Sequence, residues 1–111
     1  MVNPKQLVWQ EPQNTQAGEP IPETRSLEYE VGIVEQAGED PEPLMVVAAQ
    51  LREGTEYQAP IADLGLEDGE HIIALRSFYK EEPALKSKWS DTVTFEINGS
   101  VPAAPLDLSV E

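Results

Sequence analysis

The amino-acid sequence predicts an all-β fold, an antiparallel β-sandwich of six or seven short strands, on three observations. Apolar residues alternate with polar ones at a period of two in several segments, the signature of strands with one face inward. The chain carries 10 prolines in 111 residues, and an interior proline costs a helix ~3 kcal/mol. Turn-forming clusters recur about every 8–12 residues. Two sheets built from such strands can pack face to face around one core. At this length a chain buries roughly two-thirds of its extended surface, enough for a single domain.

Each element follows in order. "QLVWQEP" puts Leu7 and Trp9 on one face before Pro12 ends the run. "LEYEVGIV" is the strongest strand signal, with Leu27, Tyr29, Val31 and Ile33 on one side and Glu28, Glu30 and Gly32 on the other. "LMVVAAQL" fits one strand between prolines, too short for a membrane span of ~20 residues. "TEYQAPIADL" alternates Tyr57, Ala59 and Ile61, then breaks toward Leu64; Pro60 predicts an edge position or a bulge. "HIIALRSFY" is dense enough to be central, with Ile73 and Leu75 inward and Ile72 and Ala74 on the other side. "TVTFEI" alternates Val93, Phe95 and Ile97 against Thr92, Thr94 and Glu96. The segments "NTQAGEP", "EQAGEDPEP", "REGT", "LEDGE", "KEEPALKSK" and "NGS" read as the turns between them.

In that order the residues resemble the fibronectin type III superfamily, in its bacterial and phage form. "LVWQEPQNTQAGEPI" is similar to the family's second strand and loop, and "LEYEVGIVE" to its third. "LEDGEHIIALRSF" resembles the Leu-x-x-Gly turn into the long penultimate strand, and "SKWSDTVTFEI" the Trp-Ser approach to the last one. The resemblance spans about residues 5–98 and implies an immunoglobulin-like, fibronectin type III-like sandwich. Two departures stand out. The family's first strand is nearly absent, because only "MVNPK" precedes the tryptophan strand. Its tyrosine corner is replaced by "HII", where His71 either takes the tyrosine's place or lies exposed.

Composition narrows function. The net charge is −14, with 15 acidic against 3 basic residues in 1–70 and 6 against 4 in 71–111. Such a surface repels phosphate backbones and anionic membranes, so neither nucleic acid nor membrane is expected as a partner. There is no cysteine, hence no disulfide or thiolate metal site. No basic-then-apolar signal peptide opens the chain, and Met1 leads straight into the fold. His71 has no Gly-x-Ser-x-Gly elbow or cysteine to serve as its nucleophile, so no catalytic residue is expected. The carboxylates Glu39–Asp40–Glu42 and Glu67–Asp68–Glu70 sit in turns without the spacing of a glycosidase pair or an EF-hand, and no metal or cofactor is expected. "NGS" at Asn98 fits a glycosylation acceptor and is read as a tight turn.

The candidate contact residues are Arg76, Tyr79, Lys80, Lys86 and Lys88, a basic patch on one hairpin with Trp89, opposite in sign to the rest of the surface. The alternative for them is a solvated loop whose long side chains cover aromatic rings. Leu106, Leu108 and Val110 join the candidates, alternating with Asp107, Ser109 and Glu111. The domain is therefore expected over 1–99, with 100–111 an extension, a linker or an added strand for a free edge near residues 5–10. The expected function is a non-enzymatic protein-binding or structural module in a phage virion, decorating a capsid or part of a tail or fibre, self-associating or assembled on a larger particle. The alternative is a spacer or adhesion module of a larger bacterial surface or secreted protein; a carbohydrate-binding module or small glycan-active enzyme ranks below both.

Overall fold

The computed structural model describes residues 2–99, 102 and 104–111. The expected boundary at residue 100, and the far end of the Asn-Gly-Ser turn, lie outside the described residues, as do Met1, Val101 and Ala103. Eight strands form: β1 (Gln6–Gln10), β2 (Leu27–Val34), β3 (Glu42–Val47), β4 (Gln50–Glu53), β5 (Glu56–Pro60), β6 (Gly69–Tyr79), β7 (Glu82–Lys86) and β8 (Val93–Ile97). A 3-10 turn, Ile61–Leu64, follows β5. All pairings between the strands are antiparallel, in a three-stranded sheet ordered β1-β5-β4 and a five-stranded sheet. In the larger sheet β3, β2 and β6 run side by side, and β7 and β8 both pair with β6. The all-β sandwich expected from the alternation is thus the fold.

Strand β6 is central, as its apolar density predicts. It pairs with β2 from Leu27↔Tyr79 to Val34↔Ile72. That register sets Tyr29, Val31 and Ile33 on one face with Leu75 and Ile73, and Phe95 of β8 joins them opposite His71. Facing them, β1 and β5 present Leu7, Trp9 and Ala59, with Ile61 and Leu64 of the 3-10 turn closing one end. Val31 is fully buried, and the Tyr29 ring joins the sheets, 5.0 Å from Trp9 and 6.0 Å from Tyr57 between centroids. Burial pushes the Tyr29 hydroxyl well above its ordinary pKa, and the Glu11 carboxylate 3.4 Å away adds to the rise.

Four expectations need correction. "LMVVAAQL" is two strands, because the chain bends at Ala48–Ala49 and passes from β3 in one sheet to β4 in the other. β5 is the middle strand of its sheet rather than an edge. Pro60 is tolerated because β4 ends its pairing at Gln58, leaving no ladder bond for Pro60 to donate. "KEEPALKSK" contains strand β7 as well as a turn. Val93 has inward parity opposite Ile73 yet is 51 % exposed, since no strand covers that part of the inner face.

Candidate functional site

The basic patch is built on the outer face of the larger sheet. Glu30, Arg76 and Phe78 share that face because Glu30↔Arg76 and Glu28↔Phe78 are register pairs. Arg76 Nε donates to Glu30 Oε1 at 2.7 Å, and its guanidinium lies 4.1 Å from the Trp89 ring centroid. Lys86 Nζ sits 3.4 Å from both Glu30 oxygens and 4.5 Å from the Phe78 ring. Glu30 is therefore held between two cations. Partial burial disfavours its charge, but hydrogen bonds and attraction from Arg76 and Lys86 outweigh that and keep its pKa below the ordinary carboxylate value.

These contacts place Arg76 and Lys86 in the alternative read from sequence, with long stems covering rings. Tyr79 is likewise capped, by Arg25 at 4.0 Å, whose Nη2 donates to Glu82 at 2.7 Å. Lys80 and Lys88 are exposed and make no ion pair among the described residues. Leu106, Leu108 and Val110 are 87 %, 94 % and 98 % exposed.

Trp89 reaches its place because residues 87–92 leave the sheet between β7 and β8. Two serines replace the missing ladder. Ser77 N–H donates to Ser87 Oγ at 2.9 Å, and Leu75 N–H to Ser90 Oγ at 3.0 Å. The Ser87 and Ser90 N–H groups return bonds to the Ser77 and Leu75 carbonyls, both at 2.8 Å. Trp89 then lies on Gly32: a Cβ there would sit 2.7 Å from its ring. His71 occupies the corner at the start of β6, with Nε2 2.6 Å from the Glu67 carbonyl oxygen and its ring 5.9 Å from Phe95.

The detour at 87–92 also opens the sandwich on one side. Between β1 and the β6–β8 edge lies a groove of about 810 Å³, lined by Leu7, Val8 and Trp9 on one wall and Leu75, Val93 and Phe95 on the other. Lys88 and Asp91 stand at its rim. Strand β1 is the free edge expected near residues 5–10, since among the described residues it pairs only with β5. Its bonds to β5 side fall at odd positions: Ile61 N–H donates to the Lys5 carbonyl at 3.0 Å, and Glu11 N–H to the Thr55 carbonyl at 2.8 Å. Bonded and non-bonded residues alternate in an antiparallel pair, so Gln6, Val8 and Gln10 aim their backbone groups toward the open side.

Comparison of the chain with protein-family models, with curated proteins and with solved structures returns no match. The sequence reading named the cations of the patch but missed Glu30, Gly32, Ser87 and Ser90, which position them. Only the Ser-Lys-Trp-Ser spacing hinted at the detour. Val8, whose backbone groups face the open side, was not singled out because its side chain is unremarkable.

Proposed function

We propose that the chain is a non-enzymatic binding and structural module of the fibronectin type III type, acting through protein–protein contacts in a phage virion as capsid decoration or part of a tail or fibre. The observation that carries the contact reading is the unpaired β1 edge beside an apolar groove. An open edge offers main-chain hydrogen bonds and the groove offers pockets for alternate side chains, the two elements of recognition by strand addition. The basic patch contributes less, because its best-placed cations, Arg76 and Lys86, are already engaged by Glu30.

The family reading is supported by the pairing order, in which β1 joins β5 while β3, β2 and β6, with β7 and β8 both on β6, form the second sheet. It is supported too by His71, whose bond back to the Glu67 carbonyl copies the geometry of a tyrosine corner. The virion reading rests on composition: a net charge of −14 and a chain free of cysteine suit a protein packed at high local concentration after synthesis in a reducing cytoplasm. The alternation of Leu106, Leu108 and Val110 favours the second reading, a module within a larger bacterial surface or secreted protein. Mass spectrometry of purified particles, with the neighbouring genes, separates the two. Peptides of this chain in the particle and capsid or tail genes alongside are expected; one long reading frame through this domain would overturn the virion reading.

A further inference from the structure

We infer that the groove beside β1 is filled by residues 104–111 of a second copy of this chain, added as a strand along the β1 edge. The inference deepens the protein-contact reading above and rests on it.

The acceptor is specific to one edge of the sandwich. β3 carries Glu42 and Pro43, β4 carries Arg52 and Glu53, β7 carries Glu82, Pro83 and Lys86, and β8 carries Glu96. Charges and prolines on an edge discourage pairing with another chain. β1, with the sequence QLVWQ, has neither. Its outward backbone groups at Gln6, Val8 and Gln10 stand over a groove where Val93 and Val8 are 51 % and 45 % exposed. The groove lies on the side where the inner face is left uncovered at Val93.

The donor fits it. Leu106, Leu108 and Val110 alternate with Asp107, Ser109 and Glu111, so one face of an extended 104–111 is apolar and the other polar. Eight residues extend ~26 Å at the rise of a strand, longer than the five-residue β1. Lys88 lines the groove without an ion pair among the described residues, and the donor brings Asp107 and Glu111. Asp107 has φ 53 in the isolated chain, which bends the segment; pairing straightens it.

A second copy is favoured over the chain's own tail. β8 ends at Ile97, and Asn98 N–H is tied to Asn3 Oδ1 at 2.9 Å, fixing where the chain departs. Before Leu106, Pro105 presses Ala104 toward extended backbone, against a tight reversal into the molecule's own groove. The segment accordingly stands in solvent, with its three apolar side chains 87–98 % exposed. Donation from copy to copy closes as a reciprocal dimer or continues as a chain of subunits.

Sedimentation equilibrium and amide hydrogen exchange on the 111-residue chain test this, with two variants. Leu106→Ser/Leu108→Ser/Val110→Ser alters only exposed side chains. Val8→Pro removes an outward N–H at an edge position that donates nothing to β5. Expected are a concentration-dependent mass of twice the monomer or more, and Val8 amide exchange slowed about tenfold or more; both variants should be monomeric and the triple variant should lose the Val8 protection. Undiminished association in the triple variant overturns the inference. So does a monomeric wild type, whether its Val8 amide exchanges freely or is protected by its own tail. A monomeric result leaves the module free to take a strand from another protein, so the particle experiment stands independently.

Discussion

Glu30 shows how little of a residue's role is local. In sequence it is one of 21 acids; in the fold its side chain is 12 % exposed and bonded to Arg76 and Lys86. Its pKa is lowered on folding, so its stabilisation is complete above the ordinary carboxylate range of about 4 and is lost as pH falls through its folded value. Glu30→Gln should cost about 1–3 kcal/mol at pH 7, the worth of hydrogen bonds to a charged group. Urea midpoints of variant and wild type should converge as pH drops below about 4; a gap that stays constant would count against the pair. His71 makes the same point from the other side. Its burial was open from sequence; the ring is half-buried, with Nε2 2.6 Å from the Glu67 carbonyl oxygen.

At the scale of elements, the period-two pattern located β1, β2, β6 and β8 because it is written in consecutive residues. It did not divide β3 from β4, since both halves of "LMVVAAQL" are apolar and only the change of partner separates them. Nor did it show that 87–92 leaves the sheet and lays Trp89 across β2. That docking depends on Gly32, where a Cβ would meet the Trp89 ring at 2.7 and 2.8 Å and Pro41 Cβ at 2.9 Å. Gly32→Ala should therefore destabilise by about 1–3 kcal/mol, the usual penalty of overpacking, despite the better strand propensity of alanine. Chemical denaturation measures this, and Trp89 fluorescence should shift as the ring is displaced. A neutral or stabilising Gly32→Ala would mean that the ring moves aside freely.

For the whole molecule the governing number is −14. So large a net charge keeps chains soluble and burdens the compact state with self-repulsion. Raising sodium chloride from 20 to 300 mM shortens the screening length from roughly 20 Å to under 10 Å. Stability should rise by about 0.5–1 kcal/mol, near 2–6 °C in Tm for this size. The partly buried Glu30–Arg76 pair is screened less than the surface acids, so a Tm that falls with salt would show that attractive pairs outweigh the repulsion.

By itself the sequence determined the all-β class, the places of most strands, and the inward positions of Tyr29, Val31 and Ile73. These follow from alternation and turn chemistry, which act between near neighbours along the chain. Only the tertiary structure decided that β5 is central, that Arg76 and Lys86 are held by Glu30, and that the β1 edge faces an apolar groove. Each of those is a contact between residues tens of positions apart, and pairing partners at that distance leave no periodic trace in the chain.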